Sequence, residues 1–140
     1  MHTTISKRLV LFLAATTALY VGGNLMYSPD ALYQGFEITL PSGAGIRSDL
    51  RGVGTLILVS GVYLLLGCLQ QRLQRSAAHL GILLYGSFLA GRLLSLILDG
   101  VPSNPILFAL GAEAVILYLL LASLRPWDRQ TDVNAITVPK

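Results

Sequence analysis

Four stretches of this chain are apolar almost without interruption: Leu9 to about Met26, Val53 to Leu69, Ala77 to Leu98 and Pro105 to Leu124. Each comes close to or reaches the ~20 residues that an α-helix needs to cross about 30 Å of hydrocarbon. Polar connections separate them. The pattern predicts an all-α fold, an integral membrane four-helix bundle. The spans fall at about 9–26, 53–69, 77–98 and 105–124, in a single membrane domain covering 1–140. Residues 125–140 read as a polar, mobile cytoplasmic tail.

The connections carry local signals of their own. Tyr27 to Asp49 is the longest loop. Within it Ser28-Pro29-Asp30 reads as a helix start, with Ser28 as N-cap and Pro29 in the first turn, leading into a short interfacial helix through Ala31-Leu32-Tyr33. Phe36 to Leu40 alternates like a brief strand, and Pro41-Ser42-Gly43-Ala44-Gly45 is a turn-rich break. Such a loop either caps the mouth of the bundle or only connects two spans. Asp99-Gly100 marks a tight turn, Pro105 a helix start, and Trp127 an interface anchor.

Composition agrees with the pattern. The chain is 54% hydrophobic and 12% charged, against about 25% charged in a soluble domain. Its 140 residues accommodate four short-looped helices and no separate soluble domain. The net charge of +3 is no nucleic-acid signature, because the basic residues stand in short groups beside apolar runs. Lys7, Arg8, Arg72, Arg75, Arg125, Arg129 and Lys140 fall on one side under four spans, while Arg47 and Arg51 flank the other. Both termini are therefore expected in the cytoplasm, with the longest loop outside. Lys7-Arg8 before an apolar stretch also fits a secretory leader, with Val21-Gly22-Gly23 as its cleavage site. A retained signal anchor is the preferred reading, since three further spans need a first partner. The single Cys68 excludes an intramolecular disulfide, and His2 and His79 match no metal spacing. Gly61, Gly67, Gly81, Gly86, Gly91 and Gly111 suit close helix packing inside one bundle better than a dedicated dimer face.

Two charges break the apolar runs. Arg92 lies seven residues before Asp99 and Glu113 eight after Pro105, depths of about 10 and 12 Å along two antiparallel neighbours. They are expected to meet in the outer half of the bilayer. Arg92, Ser95 and Asp99 follow i, i+3, i+7 spacing and form one polar stripe, which should face the bundle interior. Arg51 opens the second span and Asn24 lies near the outer end of the first, so all four helices can contribute to one polar region. The expected ligand-binding set is thus Asn24, Arg51, Arg92, Ser95, Asp99 and Glu113. Intramembrane charges are costly and mark function by default. The competing reading is a structural clamp between two helices, with Asp99 as a turn residue and Arg51 as an interfacial snorkelling side chain.

Arg51-Gly52 at the second span, Gly91-Arg92-x-x-Ser95-x-x-x-Asp99-Gly100-x-Pro102 at the end of the third and Glu113 in the fourth carry a resemblance. Over most of residues 9–124 the chain resembles the bacterial family of small four-helix membrane proteins called domain of unknown function 4345. Val53-Gly54-Thr55 stands where that family often has an aromatic and a glycine pair. The resemblance implies a multi-pass protein of a bacterial inner (plasma) membrane, and no activity.

Three functions compete. The first is binding of a lipid or other amphipathic small molecule, with Arg51 and Arg92 facing its polar group, Glu113 orienting Arg92 and Asp99 closing the mouth. The second is an accessory subunit or assembly factor of a larger membrane complex. The third, and weakest, is a membrane isomerase using Glu113 as acid or base. With no Ser-His-Asp set, metal cluster or nucleotide loop, no catalytic residue, cofactor or metal is assigned.

Overall fold

The computed structural model describes the backbone of residues 2–136 and the side chains of residues 7–124. Five helices follow in order: α1 (His2–Tyr27), α2 (Pro29–Gly35), α3 (Ala44–Leu69), α4 (Gln74–Leu98) and α5 (Asn104–Ile136). A 3-10 turn at Gln71–Leu73 joins α3 to α4. The described residues contain no strand. Lys7–Tyr27, Ala44–Leu69, Gln71–Leu98 and Asn104–Leu124 are each long and apolar enough to cross a membrane. Large apolar side chains also stand exposed on all four long helices, among them Phe12, Leu56, Leu83 and Phe108. Lipid satisfies such a surface and water does not. The chain is a multi-pass helical membrane protein.

The helices overrun the apolar runs. The third helix of the chain starts at Ala44, nine residues before the span expected from Val53. Ile46 and Leu50 continue its apolar spacing, while Ser48, Asp49 and Arg51 are exposed beside them. Hydropathy marks where the solvent changes; backbone hydrogen bonding marks where the helix ends. At the other terminus α5 continues through residue 125, where a mobile tail was expected, to Ile136. Residues 137–140 of that tail and the Trp127 side chain lie outside the described residues. The helix start at Pro29 holds, although Ser28 makes no side-chain cap bond.

Phe36 to Leu40 is not a strand, because its polar backbone groups close the end of α2 instead. Ile38 N–H donates to Tyr33 O and Glu37 N–H to Gln34 O, the paired bonds of a Schellman motif. That motif puts Glu37 at φ 63°, a region usually left to glycine. The same conformation at Gly100, φ 93°, makes the tight turn after α4.

Small residues set the closest crossing. The antiparallel α1 and α3 approach so closely that a β-carbon on Gly22 would lie 2.5 Å from the Leu58 nitrogen, and one on Gly54 2.8 Å from the Met26 nitrogen. A β-carbon on Gly61 would lie 2.9 Å from the Leu19 nitrogen. Ala14, Ala15 and Ala18 complete the α1 face. Without a hydrophobic driving force between helices in lipid, such approach supplies the van der Waals contact that holds them.

Burial is uneven along the bundle. Leu11, Leu64, Ala77, Ala78 and Leu120 are buried at the end opposite α2. On α4 burial stops at Tyr85, and on α5 it begins at Ile116. Between these positions the two helices fill no core, and space opens towards the α2 end.

Candidate functional site

The open end is built from helical stripes. Tyr85, Phe88 and Arg92 follow i, i+3, i+7 spacing on α4, and Ile106, Ala109 and Glu113 do the same on α5. Both stripes face α1, which presents Thr17, Val21 and Leu25, and they enclose a cavity of about 200 Å³. Tyr33 and Phe36 of the α2 segment, in edge-to-face contact with centroids 6.4 Å apart, close it together with Ile38. The walls are mostly apolar. The Thr17 hydroxyl donates to Leu13 O at 2.8 Å and the Tyr85 hydroxyl to Ala14 O at 2.6 Å, so both hydrogens are spent on backbone carbonyls while the oxygens can still accept.

Arg92 and Glu113 form the charged corner of this cavity. Arg92 Nε donates to Glu113 Oε2 at 2.9 Å and to Oε1 at 3.1 Å. The side chains keep 27% and 14% exposure. The contact runs through Nε alone; among the described residues the Nη1 and Nη2 groups have no hydrogen-bond partner. Arg92 also lines a shallow groove on the α4 surface with Tyr33, Ser87, Gly91 and Ser95. It therefore borders both the cavity and the groove.

The expected convergence of six polar residues is only partly met. Arg92 and Glu113 meet across α4 and α5. Ser95 reaches the groove but not the cavity, and its hydroxyl bonds Asp99 Oδ2 at 2.8 Å. Asp99 follows the last turn of α4, N–H bonded to Ser95 O, and belongs to the turn rather than the mouth. Asn24 donates to Tyr20 O of its own helix at 2.8 Å. Arg51 is exposed on the second turn of α3 and lines neither space. Asn24, Arg51 and Asp99 thus stand apart from the cavity.

The family model described as a domain of unknown function (DUF4345) matches residues 6–124. The chain belongs to this family. No curated protein and no solved structure matches it. Every residue lining the cavity falls inside the DUF4345 segment, as does the α2 segment that closes it.

That closing segment is the part of this DUF4345 chain least legible in its sequence. Arg47 holds Asp30 bidentately, Nε to Oδ2 at 3.0 Å and Nη2 to Oδ1 at 2.9 Å. Ser103, in the α4–α5 turn, donates to Phe36 O at 2.8 Å. The two contacts fasten α2 to α3 and to the start of α5. The hydrogen bond from Arg47, with its charge, holds the Asp30 carboxyl below its ordinary value of 3.8. These partners are 17 and 67 residues apart in sequence, and no periodicity links them. Tyr85 and Phe88, by contrast, could have been found by extending the Arg92 stripe one turn at a time towards the chain's N-terminus.

Proposed function

We propose that this protein binds a small amphipathic molecule between α1, α4, α5 and α2, with the apolar part in the cavity and a polar group at Arg92. The observation that carries this reading is an apolar space of about 200 Å³ with one cation on its wall whose Nη groups are unpartnered among the described residues. A clamp alone needs the ion pair but neither the space nor spare donors. The charge distribution supports cytoplasmic termini, and the resemblance noted above supports a bacterial inner membrane. In that orientation the site lies in the outer half of the bilayer, open to lipid along α4.

The test is co-purification. Wild-type protein and an Ala112→Phe variant, which fills the cavity from α5, are isolated in lipid nanodiscs and their bound small molecules compared by mass spectrometry. An amphiphile near one per protein in the wild type, absent from the variant, is the expected result. Equal content in both proteins overturns the reading.

The clamp reading retains one observation in its favour. Between Tyr85 and Ile116 no residue of α4 or α5 is buried, so the Arg92–Glu113 pair is a principal tie between those segments. The two roles are compatible: a pair that joins the helices also fixes the guanidinium.

A further inference from the structure

We infer that the polar group recognised at Arg92 is a neutral carbonyl, carried by an apolar group about the size of one substituted ring, and not a carboxylate or phosphate. This rests on the cavity being a binding site, as proposed above, and adds the chemistry of its occupant.

Charge balance is the first argument. Among the described residues Arg92 is the only cation lining the cavity, and both oxygens of Glu113 already lie on its Nε. The pair is neutral as a unit. An anionic head would bring a second negative charge beside Glu113 with no further cation to meet it, and in apolar surroundings that repulsion is weakly screened. A carbonyl oxygen accepts from Nη1 or Nη2 without adding charge.

Donor inventory is the second. Of the polar groups on the wall, Glu113 in its ion pair accepts only, while the Thr17 and Tyr85 hydroxyl hydrogens are committed to Leu13 O and Ala14 O. Among the described residues the free donors on the wall are therefore those of Arg92 Nη1 and Nη2. A ligand that accepts finds spare guanidinium hydrogens.

Size is the third. An apolar protein cavity of about 150 Å³ holds benzene. The space here, about 200 Å³, is larger by roughly two methyl groups. That matches one substituted ring, or the ring end of a longer lipid whose remainder lies in the groove of Tyr33, Gly91 and Ser95.

The experiment uses three probes of matched shape: 4-methylacetophenone (neutral carbonyl), 4-methylbenzoate (anion) and 4-ethyltoluene (no polar group). Binding is measured by equilibrium dialysis against wild-type protein in nanodiscs. The signal from Ala112→Phe nanodiscs is subtracted to remove partitioning into lipid. The ketone is expected to bind about tenfold or more tightly than either other probe, the scale of one hydrogen bond to a charged group. That preference should vanish in the Arg92→Leu/Glu113→Leu double variant, which leaves no lone buried charge. Tighter binding of the benzoate, or equal binding of ketone and hydrocarbon, overturns the inference while the binding site stands. No specific binding of any probe overturns both.

Discussion

The Arg92 guanidinium meets Glu113 through Nε at 2.9 and 3.1 Å, and that asymmetry decides what each residue can do. Each charge alone costs roughly 2.5–3.5 kcal/mol at the centre of a membrane helix. Removing one partner leaves the other uncompensated in partly buried surroundings. Arg92→Ala and Glu113→Ala are each expected to destabilise by about 3 kcal/mol. The double Arg92→Ala/Glu113→Ala should cost less than either single. Thermal unfolding midpoints in nanodiscs read this directly; a double variant that loses the sum of the two singles would show that the pair is not coupled. Composition and counting sufficed to pair these residues, because depth in a helix is a linear function of residue number. Asn24 and Arg51 sit at suitable depths too, yet Asn24 bonds its own helix and Arg51 is exposed. Depth is local information; rotation about the helix axis is not.

At the scale of elements, the α1–α3 crossing depends on backbone touching backbone. Gly22 and Gly23 are neighbours with opposite surroundings: a β-carbon on Gly22 meets Leu58 and Gly54 backbone, while one on Gly23 meets nothing within 4 Å. Gly22→Ala must therefore push the helices apart and is expected to cost about 1–3 kcal/mol. Gly23→Ala should be neutral or stabilise by up to about 1 kcal/mol, since alanine is the better helix former. The same melting measurement separates them, and similar midpoints for the two variants would refute the close crossing. The sequence pattern identified the spans as helices and recognised glycine as a packing residue at Gly61 and Gly67. It did not single out Gly22 or Gly54, because a glycine's importance depends on what stands opposite. The helices extend beyond the apolar runs for a related reason: the Arg47 and Arg51 turn is polar, and a polar helical turn gives no hydropathy signal.

At the scale of the molecule, the bundle is packed at the end opposite α2 and hollow beneath α2, and the cover is tied down by two long-range contacts. Asp30→Asn removes the charge that Arg47 grips and is expected to loosen α2, raising amide hydrogen exchange over residues 31–35 while α1 and α3 keep theirs. Unchanged protection of α2 would mean that the Ser103–Phe36 contact and apolar packing suffice. The pH dependence has a definite sign. Asp30 is held below 3.8 in the folded state, so its ion pair contributes fully above that value and is lost as pH falls through the lower, folded value. Between pH 7 and pH 5 the protection of α2, corrected for intrinsic exchange, should not change.

The sequence by itself determined the class of solvent, the number of long helices and the shared depth of Arg92 and Glu113. Each of these follows from composition or from distance along one helix. Only the tertiary structure decided that a cavity opens between α4 and α5, that Tyr33 and Phe36 close it, and that Asn24, Arg51 and Asp99 stay outside. Those outcomes depend on how helices rotate and how closely glycine lets them approach. They depend also on contacts such as Ser103 to Phe36, which join residues far apart in the chain.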